Sequence, residues 1–435
     1  MKQYKTYKDS GVKWLGEIPE HWEVKRLKFL GDSIGGVTYS PKDIVENEEE
    51  GTLVLRSSNI QKGELYLEDN VYINTEIQEK KTLRNGDILI CSRNGSRHLI
   101  GKNICIDERT EGETFGAFMM IFRSANWRFL YQFFKSPIFK SQSGLFLTAT
   151  INQLTSGTLN NFYIAIPKSL EEQTQITNYL NLKTEQLDSL IAKKEQLISL
   201  LQEERTAMIN QAVTKGLNPN APMKDSGIEW LGEIPAHWVV KKLKYACSLI
   251  SEKTKEKPDY VLALENIQSW SNEIIGNPFE NKMEGDSNLF QTNDILFNKL
   301  RPYLAKVVKA TRNGGCVGEL LVLRPENELS PDFLYQRLSS EMIITIVDGS
   351  TYGTKMPRAS WDKFISNIEI GIPPLEEQIQ IASYIGSKLN DIKSIILKYK
   401  SEIDLLKEYK TALISEVVTG KIDVRDEVIN SIEYA

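Results

Sequence analysis

The side chains that most often carry catalysis or bind metals are few and scattered in this chain of 435 residues. They are three histidines and four cysteines: His21, His98, His237, Cys91, Cys105, Cys247 and Cys316. No two cysteines lie close together in sequence, which disfavours both a zinc site and a disulfide framework. His21 and His237 each precede a tryptophan and lie far from any cysteine. Metal and nucleophilic chemistry therefore have little support.

Two common cofactor-dependent activities also lack their motifs. An amino-methyltransferase carries a [DNS]PP[YF] tetrad, and neither Asn277-Pro278-Phe279 nor Ile372-Pro373-Pro374-Leu375 fits it. A phosphate-cradling GxxxxGK[ST] loop needs a hydroxyl after its lysine. The nearest candidate, Gly95 to Lys102, has the wrong spacing and is followed by Asn103. We therefore expect a binding protein with no catalytic centre and no metal or cofactor of its own.

Polar and basic residues cluster after predicted strands in both halves of the chain, although its net charge is −5. The first loop contains Arg93, Asn94, Ser96, Arg97, His98 and Lys102. The second contains Asn298, Lys299, Arg301, Tyr303 and Lys306. Shorter clusters lie further along, with Asn152, Gln153 and Thr155 in one half and Lys355 and Arg358 in the other.

Such side chains suit duplex DNA. Arginine and lysine can bind guanine O6 and N7, asparagine and glutamine can bind adenine N6 and N7, and others can bind phosphates. A single charged run is usually a solvated surface. Two basic loops at equivalent places in the two halves favour DNA binding, and we predict these residues as DNA contacts.

The two halves are copies of one unit. Residues 8–28 and 224–244 are identical at 16 of 21 positions without a gap. The segment that begins at Leu170 likewise matches the segment that begins at Leu375. The chain therefore has the order A-B-A′-B′, which predicts pseudo-twofold symmetry.

The B segments have the periodicity of long helices. Prolines precede each, and acidic pairs suit the positive end of a helix dipole. Apolar residues recur alternately every three and four positions, the pattern of a coiled-coil seam. The predicted seam residues are Leu187, Leu190, Leu197, Leu201, Ile392, Ile395, Leu406 and Leu413. Further apolar residues widen each stripe and predict another surface to be covered. Two copies within one chain favour pairing of the helices with each other, and a dimerisation coiled coil with an outside partner is the alternative.

The A segments contain short β-rich runs, among them residues 52–60, followed by helical stretches, among them residues 127–139, a mixed α/β (α+β) pattern. We predict α/β recognition domains and long antiparallel coiled-coil helices. The predicted boundaries are residues 1–168 and 217–373 for the recognition domains, 169–216 and 374–420 for the spacer helices, and 421–435 for a tail. With no apolar run of membrane-spanning length and no apolar core of a signal peptide, we expect a cytoplasmic protein.

The chain resembles the specificity subunits of type I restriction-modification systems over nearly its whole length. The resemblance rests on the duplicated WLGEIPxHW blocks, on GDILICSRNGS and NDILFNKLRPYLAKV, and on the IPKSLEEQTQI and IPPLEEQIQI helix entries. It implies that each A unit reads half of a split DNA sequence. The paired helices would set the length of the unread spacer.

The resemblance also implies partners. Two methyltransferase subunits would dock on the helices and methylate adenine N6 with S-adenosylmethionine, and two translocase-nuclease subunits using ATP and Mg²⁺ could join them. In that case the catalytic motifs missing here belong to the partners. The alternative is a stand-alone DNA-binding regulator or scaffold, which would leave the wide apolar stripe exposed. An enzyme with a cryptic site is a third hypothesis.

Overall fold

The computed structural model describes residues 2–61, 63–145, 153–254, 258–271, 273–281 and 287–428. The chain divides into two compact units, with Met1–Lys193 and Ser401–Ala435 in unit 1 and Lys194–Lys400 in unit 2. Both divisions fall inside the long helices. Each unit therefore consists of one set of strands and short helices together with part of each long helix.

Unit 1 is built from short strands and helices. Its strands are β1 (Tyr7–Asp9), β2 (Glu17–Pro19), β3 (Trp22–Arg26), β4 (Asp32–Gly35), β5 (Ile44–Val45), β6 (Thr52–Leu55), β7 (Ile60–Gln61), β8 (Glu64–Leu65), β9 (Tyr72–Ile73), β10 (Ile88–Cys91), β11 (Asn103–Cys105), β12 (Thr114–Phe115), β13 (Met119–Arg123) and β14 (Tyr163–Pro167). Its short helices are α1 (Trp127–Lys135), α2 (Pro137–Leu145) and α3 (Ser156–Asn160). The long helix α4 (Leu170–Lys215) follows and continues into unit 2.

Unit 2 repeats this plan. Its strands are β15 (Met223–Asp225), β16 (Glu233–Pro235), β17 (Val239–Lys242), β18 (Cys247–Ile250), β19 (Lys253–Thr254), β20 (Val261–Leu262), β21 (Ser287–Phe290), β22 (Ile295–Asn298), β23 (Val307–Lys309), β24 (Gly314–Cys316), β25 (Leu320–Pro325) and β26 (Glu369–Ile372). Its helices are α5 (Leu243–Ala246), α6 (Pro331–Leu338), α7 (Glu341–Gly349) and the long α8 (Leu375–Val418).

One antiparallel sheet has the same arrangement in both units. Its order is β11-β10-β13-β4 in unit 1 and β23-β22-β25-β18 in unit 2. Side chains alternate across a strand, so the central strand β10 serves two cores. Ile88 and Ile90 pack into the cluster that includes helix residues, whereas Leu89 and Cys91 pack under the second sheet. The mixed α/β fold class is thus confirmed in both copies.

Two local predictions differ from the structure. The strand expected over residues 52–60 ends at Leu55, because the Asn59 side chain accepts the Arg56 N–H at 2.9 Å and bends the chain into a short 3-10 helix. The helix expected over residues 127–139 is interrupted at Ser136, whose hydroxyl donates to the Phe133 carbonyl. Pro137 then begins α2, a position where proline is tolerated.

The long helices run antiparallel within each unit. In unit 1 the Gln175 amide donates to the Val424 carbonyl at 3.1 Å, and Asp188 pairs with Lys410 at 2.6 Å. In unit 2 the Lys194 ammonium lies 4.9 Å from the centre of the Tyr399 ring. Residue numbers therefore rise along α4 as they fall along α8, the geometry expected of a paired strut.

The buried stripe of these helices contains some residues of the predicted seam and leaves others exposed. Ile191 is 8% exposed, whereas Leu190 and Leu197 are 42% and 43% exposed. In α8, Ile403 is 5% exposed and Ile395 is 40% exposed. The members of the predicted seam that lie within the stripe are Leu187, Leu201, Ile392, Leu406 and Leu413. The pattern was ambiguous because apolar residues stand side by side, and the structure places Leu190, Leu197 and Ile395 outside the stripe.

The repeated tryptophan blocks fasten each recognition domain to a helix. Trp22 is fully buried and its Nε1 donates to Glu172 in the first turn of α4 at 3.0 Å. Trp238 is likewise buried and donates to Glu377 of α8 at 3.2 Å. These tryptophans are packing anchors.

The neighbouring histidines bind the same carboxylates. His21 Nε2 lies 2.8 Å from Glu172 and His237 Nε2 lies 2.7 Å from Glu377. Both histidines thereby have a structural role in the duplicated block.

Candidate nucleic-acid interface

The first reading loop, residues 92–102, follows β10 and is held by the segment upstream of α3. Arg93 and Gln153 form an isolated antiparallel bridge, and the Leu154 N–H donates to the Ser92 carbonyl at 2.8 Å. The structure thus brings together two parts of the predicted site that are some 60 residues apart in sequence. Asn152 lies outside the described residues.

Side chains within this loop divide into those that shape it and those that face outward. The Asn94 side chain donates to Ser57 Oγ at 3.2 Å and accepts the Ser96 N–H at 2.9 Å, which tightens the turn. The exposed residues are Arg93, Ser96, Arg97 and His98. The Arg93 guanidinium lies 5.3 Å from the centre of the Phe118 ring, within cation–π range.

The second reading loop, residues 298–306, follows β22 and has a different shape. The Asn298 side chain is buried and bonds both backbone groups of Leu300. Arg301 and Ala305 have φ of 51° and 47°, the left-handed region that non-glycine residues rarely adopt. They flank a short 3-10 helix that carries the exposed Tyr303. The strained backbone turns Arg301 and Tyr303 outward.

The second loop is also fastened to a distant segment. The Arg301 N–H donates to the Pro357 carbonyl at 2.7 Å, and the Ala359 N–H donates to the Lys299 carbonyl at 2.9 Å. The Arg301 side chain donates to the Lys355 carbonyl at 3.4 Å. The predicted clusters around Arg301 and around Lys355 therefore form one surface in unit 2.

Equivalent backbone hydrogen bonds hold the bases of the two loops. The Ser92 N–H donates to the Phe118 carbonyl at 2.9 Å, and the Lys299 N–H donates to the Glu319 carbonyl at 3.1 Å. Through the same ladder, Gln153 occupies the place of Arg358, which forms an ion pair with Glu319. The frame is shared, whereas the side chains differ in charge and shape.

Lys102 and Lys306 have equivalent positioning roles. Lys102 Nζ donates to the Ser57 carbonyl at 3.3 Å, and Lys306 Nζ donates to the Leu264 carbonyl at 2.7 Å. In each unit the acceptor is the first residue of a short 3-10 helix. Both ammonium groups therefore support the base of a loop. Thr155 is similarly occupied as the N-cap of α3, accepting the Thr158 N–H at 3.1 Å.

Ion pairs with buried carboxylates lie at the base of both loops, and none of their residues was among the predicted contacts. Asp87, just before β10, binds Arg123 at 2.6 Å, and Asp294, just before β22, binds Arg324 at 2.8 Å. The hydrogen bonds raise the pKa of both arginines. The repeated Asp-Ile-Leu at the start of each strand was the available signal.

An apolar cavity beside the first loop was also missed. It has a volume of about 540 Å³ and its lining includes Tyr39, Arg56, Ser57 and Phe118. Phe118 is 59% exposed and lies against both the cavity and the Arg93 guanidinium, a placement that suits contact with a ligand. A single phenylalanine gives no such signal in sequence.

The thiols have the environment of buried structural groups. Burial raises the pKa of Cys105, Cys247 and Cys316 to about 12, which disfavours the nucleophilic thiolate. Within the described residues, histidine, cysteine and carboxylate side chains form no group that could hold a metal ion. Of the helices in the described ranges, none has the length and apolarity that a membrane crossing requires.

Known proteins are similar to this chain in sequence. Residues 19–202 match the type I restriction modification DNA specificity domain family. The EcoKI specificity subunit of Escherichia coli strain K12 is 26% identical over 396 residues, covering 84% of this chain and 82% of that protein. The putative MjaX specificity subunit of Methanocaldococcus jannaschii is 27% identical over 449 residues, covering 96% and 98%.

Solved structures share the fold. The HsdS subunit from Thermoanaerobacter tengcongensis aligns with a TM-score of 0.54 at 16% identity, covering 93% of this chain and 98% of that one. A chain from a study of complex assembly and conformational transition of the type I R-M system aligns at 0.69 and 14% identity, covering 93% and 99%. In sequence over most of its length and in fold, the chain is thus similar to type I restriction-modification specificity subunits.

These similarities confirm the resemblance seen in the repeated motifs. A specificity subunit serves DNA sequence recognition within its restriction-modification system. The two loop surfaces centred on Arg93 and Arg301 are accordingly the candidate DNA contacts of this chain.

Proposed function

We propose that this specificity subunit reads a bipartite duplex DNA target, with one half-site assigned to each recognition domain. The observation that carries the proposal is the shared backbone frame of the two reading loops, fitted with unlike side chains. Equivalent hydrogen bonds hold both loops at the same place in their domains, and loops of unlike shape and side chains select different bases. An asymmetric split sequence is the target such a pair would select.

The proposed base and phosphate contacts are the outward-facing residues of each loop surface. In unit 1 they are Arg93, Ser96, Arg97 and His98, and in unit 2 they are Lys299, Arg301, Tyr303 and Lys355. Asn94, Asn298, Lys102 and Lys306 act indirectly, because their polar groups already bond within the domain. Gln153 and Arg358 lie at the edge of these surfaces and complete them.

The long helices would set the length of the unread spacer. At a rise of about 1.5 Å per residue, helices of 46 and 44 residues extend roughly 69 and 66 Å. Elements of this length pass well beyond the width of a small domain. A spacer role follows because each helix is continuous through both units.

We further propose that the helices carry two methyltransferase subunits, which methylate adenine N6 with S-adenosylmethionine in the cytoplasm. Large apolar residues at equivalent helix positions remain exposed in both copies. Leu190 corresponds to Ile395 and Leu200 corresponds to Leu405, so each unit has one member of each pair. Exposed apolar patches mark protein interaction sites. One equivalent patch in each unit favours two copies of one partner.

Catalysis then lies with the partners, and this chain binds no cofactor. Association with two translocase-nuclease subunits, which use ATP and Mg²⁺, would extend the activity from methylation to restriction. The specificity subunit contributes recognition and spacing in either assembly.

Long-read methylation sequencing tests the proposal. A host that expresses this gene with its neighbouring methyltransferase gene is compared with a host that lacks this gene alone. We expect a split motif of methylated adenines that disappears with the gene. Equal methylation in both hosts, with the methyltransferase shown to be active, would instead favour a stand-alone DNA-binding regulator or scaffold.

A further inference from the structure

Unit 1 contains a groove lined by basic side chains that the reading loops do not account for. The groove has a volume of about 810 Å³ and lies between the first reading loop, the junction of α1 and α2, and the paired long helices. Its basic lining residues are His98, Lys102, Lys135, Lys140, Lys407 and Lys410. One carboxylate, Asp188, also lines it and pairs with Lys410 at 2.6 Å. The lysines outnumber this acid.

Two of the groove lysines, Lys135 and Lys410, repel each other. Desolvation, and to a smaller extent the charge of Lys410, lowers the pKa of Lys135 to about 8. The Lys135 ammonium lies 4.7 Å from the centre of the Tyr131 ring, which holds it partly in place. A bound anion would relieve this repulsion.

The equivalent part of unit 2 is covered by the chain itself. Arg205 stands at the position of Lys410, and Lys393 at that of Asp188. Arg205 donates to the Trp270 carbonyl at 2.8 Å, and Lys393 forms an ion pair with Glu273. One loop of the second recognition domain thus places oxygen acceptors over the basic residues of the helix pair.

Three of the groove lysines have no basic counterpart in unit 2. In the aligned sequence of unit 2, Lys135 is replaced by Ser339, and Lys140 by Ile344. Lys407 is replaced by Gln202. Unit 2 therefore combines fewer basic residues with internal acceptors, whereas unit 1 has more basic residues around an open groove.

We propose that this lysine groove binds backbone phosphates of duplex DNA next to the half-site read by the first recognition domain. The proposal rests on the DNA-binding function proposed above. His98 and Lys102 belong to both the reading loop and the groove lining, so a duplex held at the loop continues past the groove. Lysine binds phosphate as a point charge without reading bases. The groove adds affinity and leaves sequence preference unchanged.

The test measures DNA affinity of the full chain as salt concentration is varied. The probes are a duplex with the split sequence found by methylation sequencing and a scrambled duplex of equal length. We expect the double variant Lys135→Gln, Lys140→Gln to make the slope of log K against log salt shallower by about 1 to 2. Affinity should fall by the same factor for both duplexes.

Two controls separate the groove from net charge and from structure. The double variant Lys5→Gln, Lys13→Gln removes the same charge from exposed positions outside the groove and should leave the slope unchanged. Arg205→Gln, the unit 2 counterpart of Lys410, should also leave the slope unchanged because the Trp270 carbonyl already occupies that guanidinium. Lys140→Glu, at an exposed position, should weaken binding more than the neutral replacement.

An unaltered salt slope in the groove variants, with target preference intact, overturns the groove proposal and leaves the proposed function standing. Loss of methyltransferase binding with an unaltered slope also overturns it, since the occupant would then be a protein. A wild-type chain that shows no preference for the split sequence, alone or with its methyltransferase, contradicts the proposed function itself.

Discussion

The two recognition domains share their supporting residues and differ in the residues they expose. Lys102 and Lys306, the Asp87–Arg123 and Asp294–Arg324 pairs, and the tryptophan–glutamate anchors are equivalent in both. By contrast, Phe118 is replaced by Glu319 and Gln153 by Arg358 at the loop surfaces. Duplication has preserved the residues that hold the loops and changed the residues that the loops expose, as the proposed recognition of two unlike half-sites requires.

The domains also differ beside the helices. Unit 1 has the lysine groove, whereas unit 2 covers the equivalent place with the loop that carries Trp270 and Glu273. The β7-β8 hairpin of unit 1 closes between Ile60 and Leu65, and the corresponding bridge of unit 2 joins Ile267 and Ile274, enclosing two more residues. A small change in loop length accompanies an open surface in one copy and a covered one in the other.

The largest expected effect comes from changing the helices that both units share. Removing one heptad from α4 between Leu187 and Leu201, with a matching heptad from α8, preserves the antiparallel pairing. Seven residues span about 10.5 Å, or roughly three base pairs at 3.4 Å each. We expect a methylation motif with both half-sites intact and a spacer about three base pairs shorter. An unaltered spacer length in an active complex would exclude the proposal that the helices set that length.

The glutamate anchors should differ in strength between the units. Glu172 accepts hydrogen bonds from Tyr4 and Trp22 and is nearly buried, whereas Glu377 is more exposed. We expect Glu172→Ala to reduce the free energy of unfolding by about 3 kcal/mol and Glu377→Ala by about 1 kcal/mol. Urea unfolding followed by tryptophan fluorescence measures both. Equal losses of unfolding free energy would mean that the difference in burial between Glu172 and Glu377 does not affect the strength of the two anchors.

The reading loops should fail independently. Arg301→Ala is expected to weaken binding by about 1–3 kcal/mol, with selectivity lost in the second half-site only, if the guanidinium binds a guanine. Arg93→Ala should affect the first half-site in the same way. Fluorescence anisotropy with duplexes substituted in one half-site at a time resolves the two. An equal loss for every duplex would identify a phosphate contact instead.

Arg337 offers the smallest change and tests a difference in the cores. It is fully buried at the position of Phe133, and its Nε and Nη2 have no hydrogen-bond partner in the described structure. Burial lowers the pKa of Arg337 to about 9, below its value of 12.5 in an unfolded chain. The cost of the buried charge is therefore fully present below pH 9 and declines as pH rises above it.

Replacing this charge should stabilise unit 2. We expect Arg337→Met to raise the free energy of unfolding at pH 7 by about 1 kcal/mol, with part of the gain offset by loss of the contact with the Trp230 ring 5.6 Å away. Thermal unfolding of the two chains at pH 7 is the measurement. A less stable variant would show that the arginine is better solvated than its burial indicates.

Much of the architecture could be predicted from the sequence because it follows from internal repeats and from the periodicity of apolar residues. The 8–28 and 224–244 blocks revealed the duplication, and prolines with acidic pairs marked where α4 and α8 begin. The basic loops were found because they follow predicted strands. The register of the buried helix stripe could not be predicted, because Leu190 and Ile191 are both apolar and the local pattern gives no basis for choosing between them.

The sequence by itself determined the duplicated plan, the long helices, the family resemblance and the two basic loops, since each is a local or repeated pattern. Only the tertiary structure decided that Arg93 meets Gln153, that Asn298 turns inward and that Lys135 and Lys410 line one groove. Contacts between distant segments depend on the packing of the whole unit, which periodicity does not encode. The surfaces that bind arise from those contacts.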